Sequence, residues 1–386
     1  MASACGGEEI ASDTEDATAL PSGAIRVATF NTSLNRPASG DLIHDLSGTD
    51  NEQARATAEI IQRVKPDVVV VQEFDYDAEG KAAALFQDNY LSVSQHGRRA
   101  IRFDYRYAAP SNTGVDSGYD LDNDGAVGGP GDAHGFGEHP GQFGFVVYSR
   151  YPIDEAAIRT FQNFLWKDMP GAQFPRTASG EDWFEPEELD ALRLSSKNHV
   201  DLPLDVGGTT VHILVDHPTP PAFDGEEDRN GIRNEAEIRF WADYLSNADY
   251  LRDDGGSTGG LAEGERFVIC GDHNADPIDG SSRPGAIKQL LTHARVNTAL
   301  TPSSTGARIA SEQQGGVNAN HQGDPSQDTG DFGDNYVGNL RLDYVLPSLE
   351  MEMLDAQVFW PKPTSTLFYL IGHSDHRLTW VDLQVN

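Results

Sequence analysis

Residues able to do chemistry flank six apolar runs of this chain. Phe30 is followed by Asn31, Val71 by Gln72-Glu73, Val215 by Asp216-His217, and Cys270 by Gly271-Asp272-His273-Asn274. Leu342 leads into Asp343-Tyr344, and Gly372-His373 leads into Ser374-Asp375-His376 ahead of a last apolar run. The set suits phosphoester hydrolysis. Glu73 and an aspartate are hard oxygen ligands of the kind Mg²⁺ takes while keeping several waters. An Asp–His pair orients an imidazole for proton transfer or for contact with a phosphoryl oxygen, and a second histidine would serve the leaving group. Taken singly, each signal has an ordinary explanation: a solvated glutamate, a surface Asp-His turn, an Asx turn in Gly271-Asp272-His273-Asn274. In chain order, each at the end of an apolar run, they point to one convergent site. The chain has no P-loop-type glycine loop and no Cys or Ser nucleophile motif.

Such a site needs rigid strands that stop at a common edge. Residues 25–30 read as the first strand. Ala54, Ala58, Ile61 and Val64 have helical spacing, and Pro66 stops that helix. Residues 67–71 form a short continuous apolar run, the mark of a strand buried on both faces. Residues 142–148, 210–215, 266–270, 342–346 and 378–385 read as further strands, and Ile238, Trp241, Ala242 and Leu245 as one face of a second helix. The stretches 104–142, 160–200 and 301–340 read as insertions that shape the mouth of the site, and residues 1–23 as a flexible acidic tail. This order predicts an α/β fold: two sheets packed face to face with helices outside, in one catalytic domain over 24–386.

Composition narrows the partners. Among 386 residues, Lys plus Arg is 28 and Asp plus Glu is 61, a balance of −33. A surface this acidic repels a polyanion such as duplex DNA and attracts divalent cations. No apolar run approaches the roughly 18 residues of a membrane span. The two cysteines, Cys5 and Cys270, exclude a disulfide scaffold, and Cys270 reads as a small core hydrophobe.

Five ordered motifs give the chain a resemblance: Thr29-Phe30-Asn31, Gln72-Glu73, Gly271-Asp272-His273-Asn274, Arg341-Leu342-Asp343-Tyr344 and Ser374-Asp375-His376. Over residues 24–386 it resembles the endonuclease/exonuclease/phosphatase superfamily, and within it a bacterial secreted subgroup carrying Pro140-Gly-Gln-Phe-Gly144, His217-Pro-Thr-Pro-Pro221 and Glu227-Asp-Arg-Asn230. The resemblance implies a deoxyribonuclease-I-like four-layer α-β-β-α sandwich and a metal-dependent phosphoesterase using Mg²⁺ or Mn²⁺. It implies Glu73 as the main metal ligand with Asn31 beside it, and Asp375 as a further metal-site carboxylate. Asp272 and Asn274 resemble the pair that activates water and holds the phosphate. His376 resembles the catalytic histidine, paired with Asp343, and His217 the second histidine. It leaves the general base open between His376 and Asp272, and leaves the substrate open among DNA, RNA, inositol phosphates and sphingomyelin.

Further expectations stand beside these. Asp120, Asp122 and Asp124, followed by Gly125, match the first half of an EF-hand-type loop and predict a structural Ca²⁺ site. Ala2-Ser3-Ala4-Cys5-Gly6 resembles the end of a lipoprotein signal, which would place an exported, monomeric bacterial protein at the cell surface, anchored through Cys5. Lys197 and His199 read as solvated loop residues or substrate contacts. Arg229, Asn230, Arg233 and Asn234 read as a phosphate site or as helix caps. The expected substrate is a small phosphoester or headgroup. The alternatives are a secreted nuclease and a non-catalytic binding protein on the same sandwich, and the intact polar set argues against the last.

Overall fold

The computed structural model describes residues 17–223 and 225–385; Cys5 and most of the expected tail lie outside them. Thirteen strands are formed: β1 (Ala24–Asn31), β2 (Val68–Gln72), β3 (Tyr105–Ala108), β4 (Phe145–Ser149), β5 (Arg159–Thr160), β6 (Val200–Val206), β7 (Thr209–Val215), β8 (Arg266–Asp272), β9 (Gly330–Asp331), β10 (Asn339–Leu340), β11 (Asp343–Pro347), β12 (Glu352–Val358) and β13 (Thr379–Gln384). One sheet has the order β12-β13-β1-β2-β4-β3 and the other β11-β8-β7-β6-β5, while β9 and β10 make a separate ribbon. Both sheets are mixed, each with a parallel pair at its heart: β1–β2 and β7–β8.

Strand alternation sorts the apolar runs into layers. Val27, Val68 and Val70 of the first sheet meet Ile213, Val215, Val268 and Cys270 of the second in a core between the sheets. Val69 and Val71 face the other way, onto α1 (Asp41–Leu46), α2 (Glu52–Val64) and α3 (Lys81–Phe86). Leu214, Phe267 and Ile269 face a third core built with α4 (Pro186–Leu189), α5 (Arg229–Leu245) and α6 (Lys288–Leu291). The result is the expected helix–sheet–sheet–helix sandwich. Helix α2 shows how locally it is written. Asn51 accepts a hydrogen bond from Ala54 N at 2.9 Å, and Lys65 closes the helix in a left-handed conformation just before Pro66.

The insertions carry more structure than their composition suggests. Residues 104–142 include β3, and 160–200 begin at the end of β5 and include α4. Residues 301–340 contain α7 (Thr305–Gln314), which adds Ala307 and Ala310 to the first core, and the β9–β10 ribbon. Residues 17–23 of the expected tail touch the body, where Ala17 N donates to Arg63 O at 3.1 Å. Among the described residues no helix is long and apolar enough to cross a membrane.

Candidate active site

Both parallel pairs end at the same edge. Asn31 lies opposite Gln72 in the first sheet. In the second, Val215 lies opposite Cys270 and Asp343 opposite Asp272. Gln72 ties the two edges together. Its Oε1 accepts from Asp272 N at 2.7 Å and from Thr29 Oγ1 at 3.2 Å, while its Nε2 donates to Asp216 O at 2.8 Å. A Cβ on Gly271 would sit 2.4 Å from Asp216 O, so the close approach of β7 and β8 demands glycine there.

Alternation now divides the Asp-His dipeptides that follow β7 and end β8. Val215 and Cys270 face the space between the sheets, and His217 and Asp272, two residues further on, follow that side to the mouth. Asp216 and His273 turn to the helix-covered side. There Asp216 Oδ1 lies 3.3 Å from His273 Nδ1, and Oδ2 lies 3.4 Å from His199 Nε2. The dipeptides thus interleave, each giving one residue to the mouth and one to a sealed group behind it.

At the mouth Asp272 Oδ2 is the hub. Asn31 Nδ2 donates to it at 3.1 Å, and His217 Nε2 and His376 Nε2 stand 3.4 Å and 3.5 Å away. Asn274 N donates to Asp272 Oδ1 at 2.9 Å. His376 Nδ1 is 2.8 Å from Asp343 Oδ2, the geometry that orients an imidazole. Glu73 adopts a left-handed backbone conformation (φ 51°), which turns its carboxylate toward Asn31 and Asn35. Asn31 donates to Oε1 at 3.0 Å and Asn35 to Oε2 at 2.9 Å.

The charges follow from this packing. Burial alone would push the Asp272 carboxyl up, but His376 and His217 outweigh it and hold the group well below the ordinary carboxylate range. Burial also works against a charged His376, yet Asp343 and Asp272 hold its imidazole well above the ordinary value. Asp343 is pushed up, first by burial and then by Asp272, against the pull of His376. These directions favour an ionised Asp272 and a protonated His376 in the metal-free site.

Asn31, Glu73, His217, Asp272, Asp343 and His376 come together as expected. Asn274 joins as a tie between loops, since its Nδ2 donates to Pro218 O at 3.1 Å. Asp375 stands on the exposed lip, accepting from Ser33 Oγ at 3.4 Å, outside the Asp272–Asp343–His376 group. In the 120–132 loop the carboxylates that gather within 4.8 Å are Asp120, Asp122 and Asp132, not Asp124. Asp124 Oδ1 instead accepts Ala126 N at 2.8 Å, a local turn. Arg233 and Asn234 are neither phosphate ligands nor caps. Arg233 donates to the carbonyls of Leu194, His134 and Arg193, and Asn234 to those of Thr219 and His273. His199 is buried in the sealed group, not solvated.

Several contributors escaped the sequence reading. Asn35 left only the weak signal of a polar residue four positions past Asn31. Thr329 Oγ1 accepts from Leu342 N at 2.9 Å and Asp343 N at 3.0 Å, and the Phe332 ring stands edge-on to His376 at 5.4 Å. The 301–340 segment therefore supports and covers the Asp343–His376 pair. Glu237 of α5 receives Ser196 N at 2.6 Å and Thr219 N at 2.7 Å, bracing the segments on either side of His217.

The donor set fits a hard divalent cation. Each Glu73 oxygen accepts a single hydrogen bond, leaving lone pairs toward the half-buried mouth. Asp272 offers a second ionised carboxylate within reach of the same Asn31 amide. His376 and Asp343 are already bonded to each other and carry the proton between them, so they read as a proton-bearing pair and not as ligands.

Two mixed sheets ending in carboxylates, amides and a buried Asp–His pair place the chain in a class whose members are metal-dependent hydrolases of phosphate esters. The chain belongs to the endonuclease/exonuclease/phosphatase family, whose model matches residues 28–376. Solved structures similar to it include an endonuclease/exonuclease/phosphatase from Beutenbergia cavernae, with 17% identity, a TM-score of 0.49, and 93% of this chain and 71% of that one covered. A sphingomyelinase C from Streptomyces griseocarneus is similar at 19% identity and a TM-score of 0.46, covering 93% and 99%. A family protein from Bacteroides thetaiotaomicron is similar at 10% identity and a TM-score of 0.49, covering 95% and 96%. No curated protein sequence matches the chain.

Proposed function

We propose that this protein hydrolyses a small phosphoester or a phosphorylated headgroup with the help of Mg²⁺ or a similar divalent cation. The observation that carries the reading is the Asp272 hub, one ionised carboxylate within 3.5 Å of both His217 and His376 and bonded to the amide that also holds Glu73. Glu73 and Asp272 would hold the cation, which supplies electrophilic neutralisation of phosphoryl charge. Water attacks phosphorus and the ester P–O bond breaks. Asp272, held ionised, accepts a hydrogen bond from the attacking water and orients it. His376 brings the proton its carboxylate partners keep on it, and it or His217 delivers a proton to the leaving oxygen.

Compactness of the substrate is supported by charge. A depression of about 450 Å³ beside His376 is lined by Ser33, Asp331, His373, Ser374, Asp375 and Arg377. Arg377 is already committed to Asp331 at 2.8 Å, so the lip presents carboxylates and not a basic stripe. That lip and the balance of −33 disfavour a long polyanion. The test compares kcat/KM on plasmid DNA and on a panel of phosphomonoesters, phosphodiesters and headgroup lipids, at low ionic strength with saturating Mg²⁺. A preference for a small ester supports the reading. A tenfold or greater preference for plasmid, about 1.4 kcal/mol of discrimination, would make the protein a nuclease.

A further inference from the structure

Lys197 is buried beside the mouth without a partner. Its side chain is 7% exposed. Among the described residues no acceptor lies within hydrogen-bonding or ion-pair distance of its ammonium. The nitrogen is nonetheless not among the sealed polar atoms, so it keeps a path to solvent. Burial pushes its pKa down, and the carboxylates of Glu237, Glu73 and Asp272 pull it back up, which places the ammonium in the field of the metal-binding pair.

The backbone that carries it is held on three sides. Asn112 N donates to Lys197 O at 2.9 Å. Ser196 Oγ donates to His217 O at 3.2 Å, and Ser196 N is fixed by Glu237. A Cβ on Gly135 would lie 1.9 Å from Ser196 O, so the 104–142 insertion presses directly on this segment. The guanidinium groups of Arg377 and Arg36 near the mouth are spent. Arg377 bonds Asp331 and two carbonyls, and Arg36 bonds Asp45, Gln53 and the Asn35 carbonyl.

We infer that Lys197 is a phosphate-binding residue, whose ammonium donates to a non-bridging oxygen of the scissile phosphoryl group. An ammonium has three donors and no acceptor, and it serves phosphate as a point charge. Glu237 is occupied by the Ser196 and Thr219 amides, so with a cation held at Glu73 and Asp272 a phosphoryl oxygen is the acceptor the ammonium would meet. A donor aimed at developing charge in a site shielded from water is worth about 10²–10³ in rate. The inference rests on the phosphoester reading above, so its test measures binding apart from turnover.

Wild type, Lys197→Met and Lys197→Arg are titrated by calorimetry, first with Mg²⁺ and then, at saturating Mg²⁺, with inorganic phosphate. Lys197→Met is expected to weaken phosphate at least tenfold, to leave Mg²⁺ affinity equal or tighter, and to lower kcat/KM about a hundredfold; Lys197→Arg recovers part of both losses. Methionine matches the buried stem and removes an unpaired charge, and Lys197→Gln repeats the test if that variant does not fold. Phosphate affinity within twofold of wild type in Lys197→Met would overturn the inference and make Lys197 a buried counter-charge. Wild type that binds phosphate but turns over no ester would overturn the hydrolase reading, while the paired titrations still decide Lys197.

Discussion

Two carboxylate–imidazole groups lie back to back in this protein, and only one opens onto the candidate active site. At the mouth Asp272 meets His217 and His376; behind it Asp216 meets His199 and His273. Burial does not tell them apart, since all six side chains are essentially enclosed. Nor does charge: Asp216, like Asp272, is held below the ordinary carboxylate range against the effect of burial, here by His273 and His199. Neighbours distinguish them. The mouth group borders Asn31, Glu73 and the proton-bearing Asp343–His376 pair. The rear group is walled by Phe240 and Trp241, whose rings lie 4.4 Å and 5.1 Å from His199, and by Tyr344, 5.5 Å from His273. An Asp–His contact becomes a candidate for chemistry when a hard-ligand set stands beside it. Sealed among aromatics, the same contact is a brace that locks the ends of β7 and β8.

The largest expected effect falls on the mouth. His376→Ala removes the positioned proton carrier and is expected to lower kcat/KM by about 10²–10⁴, measured on the best ester at saturating Mg²⁺ under conditions where the variant is shown to be folded. Retention of activity within threefold would erase the distinction between the two groups.

The rear group should show the opposite pattern. Asp216→Ala strips a buried carboxylate from two imidazoles and is expected to cost about 3–5 kcal/mol of stability, read by denaturant unfolding at neutral pH. A variant as stable as wild type but catalytically dead would mean that the rear group does chemistry.

Within the mouth, Asp343 sets the proton on His376. NMR titration of the metal-free protein should find the His376 pKa above about 6.5, and Asp343→Asn should lower it. The raised pKa gives stability that is fully present below the unfolded value and is lost as pH rises through the folded one. The stability of wild type relative to Asp343→Asn should therefore shrink on the alkaline side. An unshifted His376 in the variant would disprove the pairing.

The smallest effect lies away from both groups. Burial, with Asp276, Asp279 and Asp324 nearby, pushes Asp328 up to about 8. A carboxyl with a raised folded pKa costs stability increasingly as pH climbs from its unfolded value of about 4 through 8. Asp328→Asn should raise Tm by a few degrees at pH 8 and leave it nearly unchanged at pH 4. Equal shifts at both pH values would remove the charge explanation.

Much of this was legible in the sequence because β2 and the middle of β8 are buried on both faces and appear as uninterrupted apolar runs, with β1 and β7 broken only by Arg26, Thr29 and His212. Their ends carry Asn31, Glu73, His217 and Asp272, and the motifs around Asp343 and His376 mark the rest. Strand β6 was not legible. Its Asp201 is polar but buried, bonded to His212 Nδ1 at 2.6 Å and to the Tyr244 hydroxyl at 2.5 Å, and Pro203 interrupts the pattern. Edge strand β12 alternates too weakly to stand out, and α7 hides in a stretch rich in Gly, Asn and Ser. Asn35, Thr329, Phe332 and Glu237 act from loops and helix faces that only the folded chain brings to the site, so no local spacing announces them.

The proposed hydrolysis turns on a divalent cation held at Glu73. Its most direct test is the Mg²⁺ dependence of turnover for wild type and Glu73→Gln on the same ester, after chelation. Activity should vanish with chelator and return with Mg²⁺, and Glu73→Gln should need at least tenfold more Mg²⁺ to reach half its maximal rate. Turnover that survives chelation, or a Glu73→Gln requirement equal to that of wild type, would contradict it.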